Sequence, residues 1–361
     1  MFDEIISFPS LLAAYQRARR GNRFKHYSCA FDFNMEDELF RLHQELRWQS
    51  YQPKPYSYFI ITYPKQRHIA APHFRDRVVQ QAVVGVIEPL FEKSFINDTY
   101  ACRKEKGVLY AMKRLQKFLR ASKAAYPDQP LYVLQSDIYH FFQTVSWDVL
   151  LELICHKITC PRTFRLLKTI VTTHRTIGKY GRPIPIPEVV VTPLARRGLP
   201  IGNLTSQLFA NVYLNELDHF IKDTLAEQWY GRYMDDFYII HPDKDHLAQV
   251  RNQINEFLNT KLSLTLHPRK QTVLRCSDGV PFVGYRVFHD HVMVRANTLQ
   301  RFLKRFAQAR RKARRGELSE EELDKVSHSL DSHLIHADSY RLRQELEKWR
   351  RCNCTPLQDS V

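Results

Sequence analysis

The sequence predicts an α+β chain, and three observations carry that reading. Segments with apolar residues at helical spacing recur from the N-terminus to the C-terminus. Short runs rich in aromatic and β-branched residues are set between them, as in Tyr56 to Tyr63 and Leu131 to Ile138. One pair of such runs, Arg232-Tyr233-Met234-Asp235-Asp236-Phe237-Tyr238-Ile239-Ile240, reads as a β-hairpin with two adjacent aspartates at its tip.

The elements follow in order. From Phe8 to about Trp48 the apolar positions Leu11, Leu12, Tyr15 and then Leu39, Phe40, Leu42, Leu46 mark a basic, helical N-terminal segment. Tyr56 to Tyr63 is strand-like, and Pro64-Lys65-Gln66-Arg67 turns it into a second strand at His68-Ile69-Ala70. Arg75 opens an apolar helix to about Phe91; a basic loop, Tyr100 to Gly107, precedes a helix ending near Ser122. Pro127 to Pro130 is a turn before the strand that ends at Asp137-Ile138, and helices are expected at 147–157 and 161–173. Pro183, Pro185, Pro187 and Pro193 make 178–197 an extended excursion. A helix from about Thr205 to Leu225 leads to the Asp-Asp hairpin. After it come a helix at 244–261, a strand at Ser263 to Leu266, a hairpin containing Gly284 at 280–294, and a helical pattern from Thr298 onward.

Composition narrows the partners. A chain of 361 residues with 44% hydrophobic and 25% charged residues is globular and long enough for two or three subdomains. A net charge of +16 favours a polyanion, with nucleic acid ahead of an anionic membrane. No apolar run approaches a membrane span, and Asp3 and Glu4 interrupt any basic leader, so a cytoplasmic protein without a membrane partner is expected. Seven scattered cysteines argue for reduced thiols, and Cys352-Asn353-Cys354 lacks a second ligand pair at zinc-finger spacing.

Two neighbouring carboxylates repel unless a cation holds them, so Asp235-Asp236 reads either as a divalent-metal seat or as a solvated turn. Asp137, at the end of another strand, favours the first reading. Two-metal phosphoryl transfer needs carboxylates from separate strands to clamp cations roughly 3.5 to 4 Å apart.

With Tyr233-Met234-Asp235-Asp236 and Asp137-Ile138-Tyr139-His140-Phe141-Phe142, the sequence resembles a reverse transcriptase through nearly its whole length. The resemblance implies a right-hand polymerase fold: fingers with N-terminal helices at 1–130, a palm at 131–294 that includes the 199–225 helix, and a basic helical thumb and tail at 295–361. It implies two Mg²⁺ ions, with Mn²⁺ as a substitute, held by Asp137, Asp235, Asp236 and the backbone of Ile138. Phe142 matches the family's steric gate against a 2′-hydroxyl, although on residues alone it reads as core. Lys65 and Arg67 match the basic pair on the incoming triphosphate, and Lys270 the lysine that protonates pyrophosphate. Phe282-Val283-Gly284-Tyr285 resembles the primer grip, where Gly284 also reads as a bulge glycine.

The element Ile201-Gly202-Asn203-Leu204-Thr205-Ser206-Gln207 narrows the resemblance. Most reverse transcriptases carry Gln before that glycine and Pro after that serine; Ile201 and Gln207 match the reverse transcriptases of diversity-generating retroelements. The resemblance then implies adenine-mutagenic cDNA synthesis on a noncoding template RNA, a cDNA or other primer, deoxynucleotides, a small basic accessory oligomer, and a bacterial or phage source. Retron, antiphage-defence or group II intron enzymes are the alternative, and a catalytically dead RNA-binding scaffold is a more remote one. Between Arg295 and Arg315 stand nine cations and no acid, among them Arg301, Lys304, Arg305, Arg310 and Arg311. That face fits a thumb helix tracking a nucleic-acid backbone. No ribonuclease H, HNH or maturase segment is expected after it.

Overall fold

In a computed structural model, residues 1–62, 66–173 and 196–354 are described. Lys65 and nearly all of the proline-rich 178–197 stretch lie outside them. Four helices open the chain: α1 (Phe2–Ile6), α2 (Phe8–Arg19), α3 (His26–Phe33) and α4 (Met35–Arg47). The Ser7 hydroxyl accepts from the Ser10 amide to cap α2, and Pro9 in the first turn loses no hydrogen bond there. Leu11, Ala14, Tyr15 and Ala18 form its buried stripe, packed on α5 (Phe74–Glu92). Between α4 and α5 lies the antiparallel hairpin of β1 (Ser57–Ile61) and β2 (Arg67–Ala71), with Ile61 opposite Arg67.

The chain continues through α6 (Val108–Ala125), β3 (Tyr132–Ile138), α7 (Phe141–Thr144), α8 (Trp147–Lys157), α9 (Pro161–Thr172) and α10 (Leu204–His219). Then follow β4 (Trp229–Tyr233), β5 (Asp236–His241), α11 (Lys244–Lys261) and β6 (Leu266–Arg275). β7 (Val280–Phe282), β8 (Tyr285–Val287) and β9 (Val292–Val294) make an antiparallel meander, and α12 (Ala296–Arg314), α13 (Glu320–Leu334) and α14 (Tyr340–Cys354) end the described chain. The four-stranded sheet has the order β4-β5-β3-β6, which puts the Asp137 strand beside the Asp-Asp hairpin.

Two expected elements differ. The helix expected to reach Leu225 stops at His219 and widens into a π-helical turn over Phe220–Thr224, where the His219 ring meets Asp223 and the Ser94 carbonyl. The strand expected at 263–266 is instead β6. The amides of Leu262 and Leu264 both return to the Leu258 carbonyl, Ser263 turns at φ +51°, and these residues close α11 before the strand begins.

The chain divides into two compact units. The first comprises Met1–Cys102, Ser136–Phe237 and Ala248–Gln271, and it holds the N-terminal helices, the β1–β2 hairpin, α10 and the three aspartates. Tyr15, Phe31 and Phe74 pack together in it, with Phe31 and Phe74 edge to face at 5.1 Å. The second comprises Arg103–Gln135, Tyr238–Leu247 and Thr272 onward. There Tyr238 meets Phe282 edge to face at 5.0 Å, and Leu334 and Leu346 are covered by Leu299, Phe302, Leu303 and Leu342. No helix among the described residues is long and apolar enough to cross a membrane.

Candidate active site

Three strand ends bring the site together. Asp137 is the penultimate residue of β3, and the hairpin between β4 and β5 turns on Met234-Asp235, with Met234 at φ +55°. The Ile138 amide donates to the Asp235 carbonyl at 3.2 Å and ties that turn to the end of β3. From β6, Lys270 Nζ donates to Asp137 Oδ2. Asp236 is the first residue of β5 and exposed, whereas the Ile138 side chain is buried, leaving that residue only its carbonyl to offer.

The electrostatics follow from this packing. Burial pushes the Asp235 carboxyl up from its ordinary value and the Asp137 charge adds to the rise, while Lys270 and Arg67 oppose it. Burial disfavours the Lys270 ammonium, yet its hydrogen bond to Asp137 and the charges of Asp137, Asp236 and Asp235 outweigh that and raise its pKa. Among the described residues no three His, Cys, Asp or Glu side chains form a ready metal cage. The donor set nonetheless suits a hard divalent cation. Carboxylate oxygens from separate strands already draw one ammonium among them, and further oxygens would come from substrate phosphates.

Arg67 is exposed on the β1–β2 hairpin, and its charge is felt at Asp235. Phe142 is half-buried in α7, edge to face with Phe141 at 5.3 Å, and its carbonyl accepts from the Leu199 amide at 2.6 Å. Ile201 is half-buried, and its carbonyl accepts from the Ala70 amide at 3.0 Å. Gly202 follows at φ +126°, where an added Cβ would lie 2.9 Å from the Ala70 carbonyl oxygen. The segment therefore runs against β2, and only glycine fits that approach. Asn203 donates to the Tyr56 hydroxyl at 2.8 Å. On α10, Ser206 is buried and Gln207 exposed.

In the second unit the residues matched to a primer grip are core residues. The ring of Phe282 packs on Tyr238, and Tyr285 stacks on His333 at 4.4 Å. Gly284, at φ +95°, faces the same imidazole, 3.2 Å from where its Cβ would stand. On α12, Arg301, Lys304, Arg305 and Arg311 are exposed and Arg310 is half-buried. A buried ion pair, Arg232 with Asp218, lies next to the Met234-Asp235 turn and was not singled out in the sequence. Two charged residues in apolar runs were its only signal.

Residues 53–287 match the reverse transcriptase (RNA-dependent DNA polymerase) family, and the chain belongs to that family. Its fold is the right-hand polymerase fold, and the family is one of RNA-directed DNA polymerases, nucleotidyltransferases that generally use divalent metal ions. The protein YkfC of Escherichia coli K12 is 27% identical over 285 residues, covering 69% of this chain and 71% of that one. The group II intron-encoded protein LtrA of Lactococcus lactis is 20% identical over 318 residues, covering 70% of this chain and 50% of its own length. Among solved structures, telomerase from Candida tropicalis in complex with the TWJ fragment of telomeric RNA aligns with a TM-score of 0.50 at 13% identity, covering 82% of this chain and 57% of that one. The chain thus spans about half the length of LtrA.

Proposed function

We propose that this chain copies the template RNA of a diversity-generating retroelement into cDNA with errors concentrated at template adenines. The observation that carries this reading is the stretch Ile201 to Gln207. It presents an apolar side chain where most of the family places a hydrogen-bonding glutamine, on backbone held to β2. A site that lacks a polar contact to a base pair discriminates less between right and wrong pairs.

Asp137, Asp235, Asp236 and the Ile138 carbonyl are the proposed metal-holding groups. Two Mg²⁺ ions there, or Mn²⁺ in their place, would supply the charge that activates a primer 3′-hydroxyl and neutralises the leaving pyrophosphate. The side chains do the rest. Arg67 and Lys65 bind the triphosphate, Phe142 sits beneath the sugar, and Lys270 leaves Asp137 to hold or protonate the pyrophosphate oxygens. The exposed cations of α12 track the template-primer backbone, with the Phe282-Gly284-Tyr285 hairpin as primer grip. A noncoding RNA, a primer, deoxynucleotides and a small basic accessory oligomer are the proposed partners, in the cytoplasm.

The likeness to the group II intron-encoded protein LtrA favours a second reading, another bacterial reverse transcriptase of the group II intron kind. Primer extension on a defined heteropolymeric RNA, followed by sequencing of the cDNA, separates the two. Errors enriched opposite adenine, and reduced in Ile201→Gln, support the retroelement reading; errors spread evenly over the four template bases support the second. Equal incorporation by wild type and Asp235→Ala would sink both.

A further inference from the structure

Among the described residues Arg232 is the largest fully buried side chain, and each of its three guanidinium nitrogens donates to a partner. Nε and Nη2 form a fork on the Asp218 carboxylate, at 2.7 Å to Oδ1 and 2.6 Å to Oδ2. Asp218, near the end of α10, also accepts from the Tyr230 hydroxyl at 2.6 Å and from Thr99 Oγ1 at 2.8 Å. The Arg232 backbone is pinned on both sides, its amide donating to the Asp98 carbonyl at 2.9 Å and its carbonyl accepting from the Tyr100 amide at 3.0 Å. The guanidinium therefore has little freedom.

One arm of that rigid fork reaches outside the ion pair. Nη1 donates to the Met234 carbonyl at 2.9 Å, with a longer contact of 3.4 Å to Asn211 Oδ1. Met234 is a non-glycine residue at φ +55°, a conformation its side chain disfavours. The next carbonyl, that of Asp235, accepts from the Ile138 amide. Because a peptide group is planar, holding these two carbonyls orients the planes on either side of the Asp235 Cα, and with them the direction of its carboxylate. A buried ion pair adds little stability that apolar residues of similar volume could not supply, so stability alone does not account for an arginine here.

We propose that Arg232 is a positioning residue for the candidate active site: by holding the Met234–Asp235 peptide it aims the Asp235 carboxylate at the place shared with Asp137. This rests on the reading of Asp235 as a metal-holding carboxylate. Asp218 holds the guanidinium in register, and neither Arg232 nor Asp218 touches substrate.

The test measures Mn²⁺ binding to the full chain by loss of the free-ion electron paramagnetic resonance signal, with thermal unfolding alongside. Arg232→Lys keeps the charge against Asp218 but loses the fork, and Mn²⁺ affinity is expected to fall about tenfold, the lower end for loss of a residue that orients a ligand. Adding Met234→Gly, which takes up positive φ without strain, is expected to recover about threefold of that loss. An apolar replacement, Arg232→Met with Asp218→Leu and Tyr230→Phe, keeps volume without the donor and is expected to weaken Mn²⁺ equally. A folded Arg232→Lys or apolar variant with wild-type Mn²⁺ affinity overturns the inference, as does failure of both to fold, which would assign the network to the fold alone. Asp235→Asn separates the two readings. If it binds Mn²⁺ as wild type does, the assignment of Asp235 fails; if it loses the ion while folded Arg232→Lys does not, only the positioning role fails.

Discussion

Gly202→Ala perturbs the point where the Ile201-Gly202 segment meets the β1–β2 hairpin, and the structure gives its size. The glycine sits at φ +126°, outside the range an alanine adopts without strain, a cost of about 1 to 3 kcal/mol. The new Cβ would also stand 2.9 Å from the Ala70 carbonyl oxygen and 3.1 Å from Ile69 Cγ2. The first of these is backbone, and Ala70 is itself bonded through its amide to the Ile201 carbonyl at 3.0 Å, so relief requires that bond to lengthen or break. Strain and crowding together come to about 3 kcal/mol. Hydrogen exchange at the Ala70 amide is the local assay, and its protection is expected to fall by roughly 100-fold, with a lower thermal midpoint. Gly21→Ala is the control. That glycine also has positive φ, +76°, but nothing lies within 4 Å of its Cβ position, and the cost there is about 1 kcal/mol. If the two substitutions prove equally mild and the Ala70 amide stays protected, the close approach at Gly202 carries no weight and the reasoning is wrong.

Three further predictions concern charge. Burial and Asp137 raise the Asp235 carboxyl, so metal-free folded protein holds a proton there at pH values where the unfolded chain has lost it, and stability falls as pH rises from the unfolded value through the folded one. Asp235→Asn should match wild type below that window and exceed it above, in urea unfolding followed against pH; equal stabilities above the window would refute this. Lys270→Met removes a cation that opposes the rise, so in the metal-free protein the upper end of that window should move to higher pH, and an unmoved upper end would exclude Lys270 from the balance. Replacing Arg301, Lys304 and Arg305 together by alanine should reduce the slope of log affinity for a template-primer against log salt by roughly 2 to 3, and an unchanged slope would remove α12 from the binding face.

Periodicity made much of the fold legible. The stripe Leu11, Ala14, Tyr15, Ala18 and the apolar length of α5 could be read directly, as could the hairpin around Met234-Asp235. β6 could not. Most of its residues are half-buried or exposed, it lies at the end of the strand order, and Pro268 with its charged neighbours gives no alternation to read. The π-helical turn after His219 depends on the Ser94 carbonyl, remote in sequence, and local pattern carries no trace of it. At the site, Asp235 and Asp236 stood out as adjacent carboxylates at a hairpin tip, and Asp137 at the end of another strand favoured a metal seat over a solvated turn. The pairing of Arg232 with Asp218 was not legible, because a charged residue reads as surface until its partner is known. Tyr285 and Phe282 stood out as a motif, but their neighbours His333 and Tyr238 come from distant sequence and spend the rings on packing.

One feature of α10 bears on how this protein can diverge. Along Leu204–His219 only Gln207 and Glu216 are exposed, and their nine-residue separation puts them on opposite sides of the helix. A helix enclosed on nearly every side leaves few positions where a substitution leaves the packing undisturbed. Sequence drift in this helix is therefore channelled: descendants can exchange the residue at 207 at small cost to the fold, whereas a change at Asp218, at the far end of the same helix, must be accompanied by changes at Arg232, Tyr230 and Thr99. Position 207 can be exchanged without disturbing the packing because its side chain is exposed where those around it are enclosed.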